Sequence, residues 1–129
     1  MANKKELNKL SNFEWEIIQI IWASKGKSTV RDIYERLSSD QDRAYTTVQT
    51  YMERLVEKKY LKKKKIGMVN FYSAKITEEV TLKNEANTFV KNAFDNSFGK
   101  LAAFLFDSDS LSNEDIDKIK KMIEEKEKK

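Results

Sequence analysis

Between Arg43 and Ala74 the apolar residues change their repeat, and no other feature of the chain narrows its choice of fold so far. In "RAYTTVQTYMERLVEKKYL", Val48, Met52, Leu55 and Val56 recur at i, i+4, i+7 and i+8, within about 100° of one another, the stripe of a core-facing helix. In "YLKKKKIGMVNFYSA" the repeat moves towards alternation around Gly67, which predicts two strands joined by a short turn.

Two further helices are predicted upstream. "LSNFEWEIIQIIWA" opens with Ser11 and Glu14 at the spacing of a capping box, and carries Trp15, Ile18, Ile21 and Trp22 towards a core. Gly26 in "SKGK" is its expected stop. "STVRDIYERLSS" follows, capped by Ser28 or Thr29, with Val30, Ile33, Tyr34 and Leu37 facing inward, and a polar loop, "SDQDR", leads to the third helix. The acidic residues Glu14, Glu16, Asp32 and Glu35 read as polar helix faces. Helix, helix, helix, hairpin is the order of a winged helix-turn-helix, in which the third helix enters the major groove and the hairpin lies along phosphates.

The outer face of the third helix fits that use. Thr46, Thr50 and Arg54 lie opposite the apolar stripe, with Thr47 and Gln49 on its flanks, and no acid precedes Glu53. A first helical turn ordinarily favours acids, because the helix dipole presents positive charge there; their omission suits approach to a polyanion. The expected N-cap is Ala44, a poor cap, which leaves N–H groups for a phosphate. The threonine hydroxyls and Tyr45 are candidates for phosphate or sugar, Gln49 for an adenine edge, and Arg54 for a phosphate or a guanine. Lys62, Lys63, Lys64 and Lys65 open the wing as candidate phosphate contacts, although lysines also guard strand edges against aggregation.

Composition removes most alternatives. The chain of 129 residues is about one domain, or a small domain with an oligomerisation segment, and contains no histidine and no cysteine. Thiol catalysis, disulfides, thiolate metal sites and the commonest general base are therefore excluded, and the three glycines form no nucleotide-binding loop. The expectation is a protein that is not an enzyme and uses no cofactor. A mean hydropathy of −0.71, with no long apolar run, predicts no membrane insertion. "MANKKELNKL" lacks the apolar stretch of a signal peptide, so the expected location is cytoplasmic.

Charge is divided unevenly. Residues 1–75 hold 16 Lys+Arg against 9 Asp+Glu, a balance of +7, whereas residues 76–129 hold 9 against 12, a balance of −3. A basic front suits a polyanion and an acidic back some other task. That back half offers Val80, Phe89, Val90, Phe94, Phe98, Leu101, Phe104, Leu105 and Phe106, more apolar surface than two small helices can hide. "SLSNEDIDKIKKMIEEKEKK" adds a capping box from Ser112 to Asp115 and a stripe of Ile116, Ile119, Met122 and Ile123, ending in a solvated, frayed "EEKEKK". A partner copy would cover these residues; folding back onto the chain's own winged helix is the alternative.

"EWEIIQIIW", "STVRDIYERL" and "AYTTVQTYMERLVEKKYL", followed by a basic wing ending "FYSA", together resemble the BlaI/MecI/CopY family of penicillinase and methicillin-resistance repressors. The resemblance runs over nearly the whole chain and is strongest from Glu14 to Ala74. It implies a mostly α fold and a homodimeric transcriptional repressor on a palindromic operator, controlling a β-lactam-response or related gene. Residues 1–75 would bind double-stranded DNA and residues 76–129 would dimerise, through Phe89, Phe94, Phe98, Leu101, Leu105, Ile116, Ile119 and Ile123. Copper-responsive members carry a cysteine-rich metal site, which this chain lacks. In the penicillinase branch the resemblance further implies a membrane-bound sensor protease, with cleavage between Phe104 and Leu105, although "LAAFLFDS" lacks the asparagine found at that cut. The alternative function is a winged helix whose basic face binds an acidic protein.

Overall fold

The first helix, α1 (Asn12–Ala23), starts where side chains can satisfy its free N–H groups: the Ser11 hydroxyl accepts from the Glu14 N–H, and the Glu14 carboxylate accepts from the Ser11 N–H. Thr29 and Asp32 repeat the device at the start of α2 (Val30–Arg36). These are helices of a computed structural model that describes residues 7–37 and 43–128. It continues with α3 (Tyr45–Glu57), β1 (Leu61–Ile66), β2 (Val69–Ala74), α4 (Glu78–Ala93), α5 (Phe98–Asp107) and α6 (Asn113–Glu127). Of the polar loop "SDQDR", residues 39–42 lie outside the described residues.

The predicted order is therefore present. β1 and β2 form an antiparallel hairpin pairing Leu61 with Ala74 and Ile66 with Val69, and Gly67 closes it at φ +63°, a left-handed value that glycine adopts without a Cβ clash. Phe13, Ile17, Ile18 and Ile21 of α1, Val30 and Ile33 of α2, and Val48, Met52 and Leu55 of α3 build one core with Leu10, Tyr60, Leu61 and Tyr72. α3 ends in a Schellman motif: the Tyr60 N–H reaches Leu55 O and the Lys59 N–H reaches Val56 O, with Lys59 at φ +73°.

Several local expectations change. Ser24, not Gly26, caps α1, its N–H donating to the Ile20 and Ile21 carbonyls; Gly26, at φ +105°, turns the chain beyond. Trp15 and Trp22 are half-buried at the edge of the core, ring centroids 6.2 Å apart. Trp22 stays at the margin because its indole N–H needs an acceptor, which Ile76 O supplies at 3.0 Å. Tyr34 is exposed rather than inward, since Ile33 takes the buried position on so short a helix. Glu14 is no polar face: its side chain is 1% exposed, beneath Lys58. Ser28 leaves the capping to Thr29 and instead forms a single β-bridge with Tyr72, at 2.7 and 2.9 Å.

By compactness the chain divides into Met1–Asn84 and Glu85–Lys129, a seam that falls inside α4. Within the second unit Val90 is fully buried, and Phe94 lies against Phe89 and Phe104 at 5.6 and 5.7 Å between centroids. Neither α5 nor α6 has a buried residue. Phe89, Phe98, Phe104, Phe106, Met122 and Ile123 are exposed, while Leu101, Leu105, Ile116 and Ile119 are half-buried. The capping box from Ser112 to Asp115 is formed, and α6 remains helical through Glu127 rather than fraying at 124.

Candidate nucleic-acid interface

α3 differs from the other helices at its start. α1, α2 and α6 have capping boxes and α5 has the Ser97 hydroxyl, but Ala44 supplies no side-chain cap to α3, and its first turn contains no acid. Among the described residues no side-chain oxygen caps this positive end of the helix. Tyr45, Thr46, Gln49, Thr50 and Arg54 are exposed on the outer side, and Thr47 is half-buried.

Neighbouring groups hold these side chains. The Thr50 hydroxyl donates to Thr46 O at 2.9 Å, which fixes the rotamer and leaves its lone pairs outward. Arg54 lies over the Tyr51 ring, 4.7 Å from the centroid, a cation–π contact that restrains the guanidinium. Tyr45 meets the Tyr34 ring at 5.6 Å, and Arg31 stands 5.5 Å from its centroid.

The wing alternates. Lys62 is paired with Ser73 and Lys64 with Phe71, whereas Lys63 is paired with Tyr72 and Lys65 with Asn70, so the run divides between the two faces of the hairpin. An open groove of about 580 Å³ lies between α3 and the hairpin, lined by Thr46, Gln49, Thr50, Glu53, Arg54, Glu57, Lys63 and Asn70. A second hollow, of about 300 Å³, is lined by Lys27, Lys62, Lys64, Phe71 and Ser73, and Lys63 borders both.

Of the expected contacts, Thr46, Gln49, Thr50, Arg54 and Lys63 meet in one groove, while Tyr45, Thr47, Lys62, Lys64 and Lys65 do not line it. Lys63 is engaged already, its ammonium 2.9 Å from Glu53 Oε1. Among the described residues Lys62, Lys64 and Lys65 have no carboxylate partner. Burial pushes the Glu53 carboxyl up, but hydrogen bonds from Tyr72 and Lys63, with the Lys63 charge, outweigh it and hold the group below its ordinary value of 4.5. The same hydrogen bond, after burial, raises the Tyr72 phenol.

Sequence reasoning missed Lys27, Arg31, Tyr34 and Asn70, and took no account of Glu53 as an anchor. Lys27 arrives through the Ser28–Tyr72 bridge, which a single residue pair does not announce in a sequence. Tyr34 carried a usable signal, because a tyrosine on a seven-residue helix can as readily line a surface as a core. Among the described residues no group of three or more His, Cys, Asp or Glu could hold a metal ion, and no helix is long and apolar enough to cross a membrane.

A family model described as penicillinase repressor matches residues 10–125. The chain is 29% identical over 116 residues to an uncharacterized 16.5 kDa protein in the ptsI 3′ region of Latilactobacillus sakei, covering 90% of this chain and 79% of that one. It is 26% identical over 129 residues to the penicillinase repressor of Staphylococcus aureus, covering all of both. Among solved structures, the monomeric form of Bacillus licheniformis BlaI in complex with the blaP half-operator is 27% identical, with a TM-score of 0.48, over 57% of this chain and 88% of that one.

Proposed function

The chain belongs to the penicillinase repressor family, and from that premise we propose a transcriptional repressor that grips double-stranded DNA between α3 and the β1–β2 wing. One observation carries the placement: the outer face of α3, whose first turn holds no acid and whose N-cap Ala44 offers no side-chain cap, lines an open groove against the hairpin with Thr46, Gln49, Thr50 and Arg54. In this reading α3 enters the major groove with Gln49 and Arg54 towards base edges. Tyr45, Thr46, Thr47 and Thr50 approach sugar and phosphate, and Lys62, Lys64 and Lys65 take phosphates from the wing. Lys27 and Arg31 extend the basic surface.

Residues 76–129 join two such heads into a homodimer on a palindromic operator. The exposed Phe89, Phe98 and Ile123, with half-buried Phe94, Leu101, Leu105, Ile116 and Ile119, form surface that a second copy covers. Linking the heads raises the effective concentration of the second at its half-site, so dissociation of the dimer ends repression. A membrane-bound sensor protease cutting between Phe104 and Leu105 is one route to that dissociation. The bond lies inside α5, so the helix must open before a protease can take it. The regulated gene belongs to a β-lactam response or a related one, and the protein works in the cytoplasm.

Salt-titrated fluorescence anisotropy tests the reading, using duplexes sequenced from DNA recovered with the protein and shuffled duplexes of the same length. Tight, salt-sensitive binding that prefers the recovered sequence is expected. Equal and weak binding to both, with capture of an acidic protein instead, would mean that the basic face serves protein recognition.

A further inference from the structure

Glu53 sits badly in a groove meant for DNA. It stands on α3 between Thr50 and Arg54, and its carboxylate lines the same groove as they do. A negative charge there repels phosphate, yet both of its oxygens are employed. Oε1 accepts from Lys63 at 2.9 Å and Oε2 accepts from the Tyr72 hydroxyl. Tyr72 is fully buried, is paired with Lys63 across the hairpin, and is bridged on its other edge to Ser28. The carboxylate is therefore tied to the hairpin through both of its oxygens. One side chain ties the recognition helix to the wing and neutralises one of the four lysines that open it.

We propose that Glu53 is a positioning residue, an internal counter-anion that keeps Lys63 from DNA phosphates and fixes the wing to α3, so that the wing adds less sequence-blind attraction than its lysines would supply. This rests on the DNA-binding reading above. Lys63 then differs from its neighbours Lys62, Lys64 and Lys65, which among the described residues have no such partner. Phosphate contacts add affinity for every sequence alike, because they release counterions without reading bases. Withholding one lowers non-specific binding by its full share and leaves the base contacts of α3 unchanged.

The sign of the effect makes the idea testable. In the full-length protein, Glu53→Gln keeps the shape and an acceptor for the Tyr72 hydroxyl but removes the charge that holds Lys63. Binding to shuffled duplex should tighten at low salt, and the log–log salt slope should steepen by about 0.9, one more phosphate neutralised. Between 50 and 200 mM salt the variant should thus lose roughly 3.5-fold more affinity than the parent, which is four raised to that exponent. Binding to the recovered operator should tighten by the same factor, leaving its preference over shuffled DNA as in the parent. Lys63→Gln in the parent should leave the slope unchanged, but in the Glu53→Gln background it should return the slope to the parent value. Lys64→Gln should lower the slope in both backgrounds.

A residue that merely braces the fold would act in the opposite sense, weakening all binding with the slope unchanged or shallower. That outcome overturns the proposal, as does a slope that falls by about 0.9 when Lys63 alone is replaced in the parent. Should Glu53→Gln fail to fold, the Lys63→Gln measurement decides alone. A parent protein with no salt-dependent duplex binding would instead overturn the DNA reading itself.

Discussion

Replacing Glu14 tests whether α3 is secured from behind. Glu14 Oε1 accepts from the Ser11 N–H at 2.7 Å and from Lys58 Nζ at 2.6 Å, and Lys58 follows directly on α3 as its C-cap. Lys58 Nζ also reaches Lys9 O at 2.8 Å, the Asn8 amide reaches Lys58 O at 3.1 Å, and the Tyr60 hydroxyl reaches Asn8 O at 2.6 Å. The segment before α1 is thereby tied to the end of α3. Glu14→Ala removes two charge-assisted bonds, each worth about 1.5–3 kcal/mol where nothing replaces it. The full cost of about 3–5 kcal/mol for stranding a buried charge does not apply, because Lys58 is 30% exposed and keeps the Lys9 carbonyl. The expected loss is about 2–3 kcal/mol, or about 8–12 °C in Tm at roughly 4 °C per kcal/mol for a chain of this size. Glu14→Gln keeps an acceptor for Ser11 and should cost about half as much. Urea unfolding followed by circular dichroism measures both. A loss under about 0.5 kcal/mol for Ala, or equal losses for Ala and Gln, refutes the reasoning. Acid offers a second check. Burial pushes the Glu14 carboxyl up, but the Lys58 and Ser11 hydrogen bonds and the Lys58 charge outweigh it, so its folded value lies below 4.5. A depressed carboxyl contributes its full stability above the unfolded value and loses it as pH falls through the folded one. The gap between parent and Glu14→Gln should be constant at neutral pH and close below pH 4.5.

Gln49→Ala and Arg54→Ala should reorder a panel of operator variants by about 1–3 kcal/mol at the base each one reads, whereas Lys62→Gln should weaken every duplex alike; an unchanged ranking would remove α3 from base readout. In sedimentation, residues 76–129 alone should dimerise and residues 1–75 should stay monomeric with weak operator binding, and a dimeric 1–75 fragment would overturn the proposed division. Lys59→Gly should stabilise the protein by about 0.5–1 kcal/mol, because the left-handed backbone that closes α3 costs a lysine more than it costs a glycine. Mass spectrometry of the protein from induced cells should find a fragment beginning near Leu105 if cleavage ends repression; intact protein released from DNA excludes that route.

Sequence alone determined what depends on near neighbours along the chain. The capping box of Ser11 and Glu14, the uncapped Ala44, the stripe of Val48, Met52 and Leu55, and the turn at Gly67 all follow from spacings of a few residues, and all are present. They suffice for the order of elements, and hence for the winged helix. Tertiary structure decided which charges are spent. Glu14 reads as solvent-facing until Lys58, 44 residues on, closes over it, and Lys63 reads as one of four equal lysines until Glu53, itself bonded by the Tyr72 hydroxyl, claims it across the groove. Periodicity assigns a residue to a face but cannot name the group that meets it there. That depends on how one helix packs against a strand, and at such contacts a hydrogen bond at 2.9 Å separates a lysine available to phosphate from one already paired.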